Sequence, residues 1–167
     1  MGSSVNKSSL SLLGLALVVA LLVAVPIALG AEEPTREEYV KEADLICKKS
    51  EKVNSRILDG VKQQITKKHE LGPAGSRFIR ASSSFGRAVT ELAGLPQPVT
   101  DKPKLKTWLD YLREEQAQLR EIGKALKSKK TGKANKLAVD LQHTNRKANN
   151  TVFSFEFTYC DREIHIG

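Results

Sequence analysis

Between Leu10 and Leu29 the chain reads L-S-L-L-G-L-A-L-V-V-A-L-L-V-A-V-P-I-A-L, without one charged side chain. A helix needs about 20 apolar residues to cross a hydrocarbon layer, so this run divides the chain. Residues 1–30 read as a signal anchor or signal peptide, and residues 31–167 as a domain that must fold without them. Lys7 precedes the run while Glu32 and Glu33 follow it, and a basic flank stays on the cytoplasmic side. The expectation is a single pass through the cell membrane by residues 10–29, with the N-terminus inside and the domain outside. If the segment is cleaved, the domain is secreted. Length favours a retained anchor, since a signal core spans about 7–15 residues; Pro26 with the small residues Ala28, Gly30 and Ala31 fits a cleavage region. No cysteine precedes Cys47, which excludes a lipid-modified cysteine at this junction. A buried helix of a soluble fold is the remaining alternative.

The remainder is long enough for one domain. Hydrophobic residues make up 40% of the chain and charged residues 28%, whereas aromatics contribute only 5%, so the core must be largely aliphatic, as in helix bundles. The formal charge of +8 favours anionic partners. Solvated helix faces account for such a surplus equally well.

Four amphipathic patterns follow. Thr35-Arg36-Glu37-Glu38, behind Pro34, is a T-x-x-E capping box and opens the first helix. Tyr39, Ala43, Ile46, Cys47, Ser50, Val53, Ile57 and Val61 then recur at helical spacing. Residues 60–72 read as a loop or frayed end. A second stripe starts near Pro73 and runs through Phe78, Ala81, Phe85, Ala88 or Val89, Leu92 and Leu95, ending where L-P-Q-P-V-T-D-K-P forbids helix. Asp101 is expected to cap a third helix, striped by Leu105, Trp108, Leu109, Leu112, Gln116, Leu119, Ile122 and Leu126. The fourth carries Ala134, Leu137, Leu141, Thr144, Ala148, Val152 and Phe155, with looser core contact expected around Asn145–Asn150. The closing F-S-F-E-F-T-Y-C is β-prone but has no partner strand, which implies a helix end and an ordered tail. The fold class is therefore all-α: an N-terminal transmembrane or signal helix, then an antiparallel four-helix bundle. In it the start of the first helix, the proline-rich link and the end of the fourth helix share the membrane-facing end.

Cys47 lies on the apolar stripe of the first helix and Cys160 just beyond the fourth, so a disulfide would join the first and last elements. Export makes it plausible, because oxidising compartments retain disulfides. Two separate buried thiols are the alternative; a metal pair lacks further ligands nearby.

Three stretches carry a resemblance: E-E-Y-V-K-E-A-D-L-I-C early, L-P-Q-P followed by L-K-T-W-L-D-Y-L centrally, and F-E-F-T-Y-C at the end. Together they resemble small exported helical proteins, with no assigned activity, of high-GC Gram-positive bacteria. The resemblance covers nearly everything after Pro34 and implies the same pairing of Cys47 with Cys160. Glu156 departs from the glycine usual in the final motif, and the tail D-R-E-I-H-I-G is longer than the family's. No catalytic residues carry over.

The chain shows little enzymatic chemistry. Asp140 and His143 have the i, i+3 spacing of a ligand pair, yet a di-iron bundle needs a second such motif and further glutamates. His69 and His165 fall in a loop and a tail. Ser82, Ser83 and Ser84 lie on a helix without a G-x-S-x-G turn, and Glu114 and Glu115 diverge around one. The expectation is no enzyme, no metal and no cofactor. A basic patch stands out: Lys124, Lys127, Lys129, Lys130, Lys133 and Lys136, with Lys62, Lys67 and Lys68 brought to the same end by an antiparallel bundle. It suits anionic wall polymers or an acidic protein; its ordinary reading is a soluble charged turn. Nucleic acid is excluded by location and by the lack of interleaved aromatics. Two functions follow as expectations: an extracytoplasmic helical binding module working through this basic end, or a bundle holding a small ligand beside Trp108, Tyr111 and the middle of the fourth helix.

Overall fold

The computed structural model describes residues 33–161. The apolar run at 10–29, the tail after Asp161 and His165 lie outside the described residues. Among the described residues the fold is all-α, and no helix there is long and apolar enough to cross a membrane. Its elements are α1 (Arg36–Leu58), α2 (Val61–Thr66), α3 (Leu71–Gly94), α4 (Lys102–Lys127) and α5 (Thr131–Val152), with 3₁₀ turns at Val99–Asp101 and Phe153–Phe155.

Local chemistry sets the boundaries. Thr35 caps α1 through the expected box: its hydroxyl accepts from the Glu38 amide, while the Glu38 carboxylate accepts from the Thr35 amide at 2.8 Å. Where the loop at 60–72 was expected, the chain instead makes the short helix α2, because Gly60 turns at φ 68° and delivers Val61 into the core, where it is 0% exposed. The α4–α5 turn is a Schellman motif: the Lys130 amide reaches the Ala125 carbonyl at 2.8 Å and the Lys129 amide reaches Leu126 at 2.9 Å. That closure holds Lys129 at φ 56°, a left-handed conformation where glycine is usual.

One expected cap is corrected. Asp101 precedes α4 but makes no side-chain cap; its carboxylate accepts two bonds from the Arg36 guanidinium, at 2.8 and 2.6 Å. A bidentate arginine is a stronger partner than one helical amide, and it ties the start of α4 to the start of α1. The Arg36 hydrogen bonds hold the Asp101 carboxyl below the usual carboxylate range. Their contribution is thus complete at neutral pH and is lost as pH falls through that lowered value.

Two clusters form the core. In one, Tyr39 and Ala43 of α1 meet Leu92 of α3, Leu105 and Trp108 of α4, and Ala148 and Val152 of α5. In the other, Leu58 meets Ala74 and Phe78, Ile122 and Leu126, and Ala134. The start of each long helix therefore packs with the end of the one before it, so successive long helices run antiparallel. The first cluster defines a near end, with the α3–α4 link and the tail; the second defines a far end, with α2 and the α4–α5 turn.

Packing is uneven around the bundle. α3 lies closely on α4, and α4 on α5, while α1 rests on α3 and hardly touches α5. At one point α3 and α4 meet backbone to backbone: a Cβ on Gly75 would sit 2.5 Å from the Gly123 carbonyl oxygen, and one on Gly123 would sit 2.6 Å from that of Gly75. Only glycine permits this approach. The α1 stripe also rotates toward its end, since Leu58 is buried at 2% exposure where the spacing pointed to Ile57, and Val53 is 37% exposed.

Candidate functional site

The gap between α1 and α5 is bridged by the C-terminal tail. Cys47 and Cys160 form a disulfide with Cα atoms 5.2 Å apart, as the sequence suggested. Beside it, the Asp44 carboxylate accepts the backbone amides of Thr158 and Tyr159 at 2.8 Å each and of Cys160 at 3.2 Å. A carboxylate gathering successive amides fixes a turn that has no ladder of its own. Phe157 stacks on Trp108 with centroids 5.3 Å apart, and Phe155 stacks on Phe157 at 5.5 Å. The β-prone letters of the tail thus become an aromatic plug.

Beneath this bridge lies a cavity of about 120 Å³. Its walls are Leu58 of α1, Ala81, Phe85, Ala88 and Leu92 of α3, Trp108, Leu112 and Leu119 of α4, and the disulfide itself. Ser50, Glu51, Asn54 and Ser55 contribute from α1, Asn145 from α5 and Tyr159 from the tail. Into this mostly apolar space projects Glu115, 1% exposed. Its Oε1 has no hydrogen-bond partner, and neither has Trp108 Nε1 nor Asn54 Oδ1. Buried polar atoms are nearly always paired, and an orphan costs about 1–3 kcal/mol. Three such atoms line this one cavity, two from α4 and one from α1.

Burial pushes the Glu115 carboxyl up to about 8, partly opposed by a hydrogen bond from Asn145. Asn149 Nδ2 donates to Asn145 Oδ1 at 3.3 Å, which leaves the Asn145 amide to face the carboxyl. A carboxyl raised this way favours the folded state fully below its unfolded pKa, and that advantage disappears as pH rises to about 8.

The sequence reading placed Trp108 and the fourth helix beside a small pocket, and Trp108 with Asn145 does line it. Tyr111 does not; it packs at the edge of the near core. The middle of α5, expected to be loose, is filled: Thr144 and Asn145 are 4% and 7% exposed, and Gln118 donates to the Thr144 hydroxyl at 3.0 Å. Glu115 is not among the expected site residues, although Trp108, Leu112, Glu115, Leu119 and Ile122 follow a 4-3-4-3 rhythm in which Glu115 occupies a core position. The divergence from Glu114 holds, and it sends one carboxylate to solvent and the other inward.

At the far end Lys62, Lys67, Lys68, Lys124, Lys127, Lys129, Lys130, Lys133 and Lys136 are all exposed. Val61 and Ala134 share one core cluster, so α2 and the α4–α5 turn stand at the same end and bring both lysine groups there. Lys124 is engaged by Glu121 at 2.6 Å. His143 Nδ1 lies 2.6 Å from the Arg146 guanidinium, and Ser82 donates to the Gln116 carbonyl at 2.8 Å. Among the described residues no three His, Cys, Asp or Glu side chains converge as metal ligands would. No family model, no curated protein and no solved structure matches the chain.

Proposed function

We propose that this chain is a non-enzymatic binding module working outside the cytoplasm, membrane-held or secreted, whose bundle holds a small ligand in the cavity between α1 and α5. The observation that carries the reading is Glu115, with an unpartnered oxygen inside an apolar cavity that also orphans Trp108 Nε1 and Asn54 Oδ1. Ligand sites are concave, mostly apolar and furnished with a few convergent polar groups. The location rests on the uncharged run at residues 10–29 and on a disulfide of the kind that persists in oxidising compartments. The likeness to exported helical proteins of high-GC Gram-positive bacteria belongs to the same proposal. A thermal-shift survey of the folded domain against a metabolite panel tests it: stabilisation by a compact ligand is expected, and a flat response across the panel removes the reading.

A second reading, contact with anionic wall polymers or an acidic protein through the lysine-rich end, has its own observation. Lys129 is a lysine held where glycine would be favoured, in the middle of that patch. Salt-sensitive retention on purified cell-wall polymer is its test, and absence of binding at low ionic strength eliminates the polyanion partner.

A further inference from the structure

We infer that the cavity between α1 and α5 receives a small organic amine as its ammonium ion, with Glu115 as counter-ion and an apolar body lying among Phe85, Leu112 and Trp108. This rests on the ligand-holding reading and names its ligand class.

Charge complementarity carries the inference. The protein has 27 lysines and arginines against 19 acidic residues, yet no basic side chain and no histidine lines the cavity, whereas two carboxylates, Glu51 and Glu115, do. Lys48 comes no nearer than the Tyr159 ring, and no cation acts on Glu115, whose shift is set by burial, Asn145 and Glu114. Two of the three orphaned atoms, Glu115 Oε1 and Asn54 Oδ1, accept hydrogen bonds and do not donate them. The aromatic rings of Phe85 and Trp108 on the same lining suit a cation as well as an apolar group, whereas the Tyr159 ring is already covered by Lys48 at 4.9 Å. Size limits the body: an apolar cavity of about 150 Å³ takes benzene, and this one is somewhat smaller at about 120 Å³.

The protons must balance. With its pKa raised to about 8, empty Glu115 is mostly protonated at neutral pH. An ammonium ion forms an ion pair there only if Glu115 releases its proton to solvent, so each binding event liberates up to one proton. The charged or titratable groups facing Glu115 are Glu51 from α1, Glu114 beside it on α4 and the Tyr159 phenol from the tail; α3 offers none and α5 only the neutral Asn145. No facing group can supply the missing positive charge.

Calorimetric titration of the folded protein with isobutylamine and with isobutanol, its neutral counterpart, provides the test, both being smaller than benzene. Isobutylamine should bind with proton release visible as a buffer-dependent heat, its affinity rising about tenfold per pH unit between pH 6 and 7.5. Isobutanol should bind at least tenfold more weakly and without a pH slope. In Glu115→Gln, which keeps a partner for Asn145, isobutylamine affinity should fall at least tenfold and its pH slope vanish. Equal binding of the two probes, or isobutylamine binding without proton release, overturns the amine assignment and leaves the cavity reading intact. Failure of both probes overturns the assignment too; the ligand-holding reading then stands or falls separately on the metabolite survey.

Discussion

The two ends of the bundle solve the same problem, closing a barrel of helices, by different means. At the near end closure is made by the tail: a disulfide, an aspartate gathering three amides and a stack of Phe155, Phe157 and Trp108. At the far end closure is made by backbone fit, with Gly75 against Gly123 and small side chains such as Ala74 and Ala134 inside. The near end spans a gap between helices that hardly touch, whereas the far end lets α3 and α4 come together until no side chain fits between them. The cavity lies under the bridged gap and reaches the edge of the tighter half, as its lining by Trp108 and Leu58 shows. A bridge leaves room beneath it; a close fit does not.

The largest break in this contrast should come from the bridge. The disulfide closes a loop of 113 residues in sequence separation. Removing both sulfurs as Cys47→Ser with Cys160→Ser should cost about 4–5 kcal/mol in the chain-entropy account, read by chemical denaturation. A loss below about 1 kcal/mol would mean that the tail is held by Asp44 and the rings alone. Next in size is Asp44→Ala, which strips the carboxylate from the amides of Thr158, Tyr159 and Cys160. A charged acceptor shared by several amides supports an effect of about 2–3 kcal/mol. Hydrogen exchange should quicken at the Tyr159 and Cys160 amides while the far end stays protected.

This asymmetry also explains what could be read in the chain beforehand. Helix positions, the Thr35 capping box and the pairing of Cys47 with Cys160 were legible because they rest on local spacing and on one covalent possibility. The tail's destination was not, since Asp44 finds its partners more than 110 positions away and nothing in D-L-I-C announces a receptor for amides. Asp101 looked like a cap because caps are local; its real partner, Arg36, is 65 positions distant. Glu115 illustrates a different failure. Its spacing is that of a core residue while its charge belongs at the surface, so the two signals conflict. A buried carboxylate violates the usual partition of polar residues, and such violations gather where a protein binds something.

The far end should be sensitive to volume where the near end is sensitive to chemistry. Gly123→Ala places a methyl group against the Gly75 carbonyl and should destabilise by about 1–3 kcal/mol as α3 and α4 separate. The matched control is Gly132→Ala, whose added carbon would meet nothing within 4 Å in the first turn of α5. That substitution should be neutral or slightly stabilising, because alanine restricts the unfolded chain and suits a helix. Equal destabilisation by the two would remove the case for a close α3–α4 crossing.

The smallest effect has the opposite sign and falls on the bridge itself. Glu156 sits at φ 55° and ψ 40°, at the turn between Phe155, which ends the 3₁₀ segment, and Phe157. Left-handed geometry suits glycine: a Cβ there meets the following carbonyl, a strain of about 1–2 kcal/mol for an L-residue. Glycine relieves that strain but gives the unfolded chain more freedom, which takes back about 0.4–1 kcal/mol. Glu156→Gly should therefore raise stability by roughly 0.5–1 kcal/mol, seen as a higher midpoint of unfolding with an unchanged dependence on denaturant. Because Glu156 sets the angle between Phe155 and Phe157 of the plug, the gain should require the bridge. With Asp44→Ala in the background the tail is less firmly placed, the left-handed turn is less strictly imposed, and the same glycine should stabilise less. Equal gains in both backgrounds would show that the turn is set by the end of α5 alone, independent of what the tail later touches.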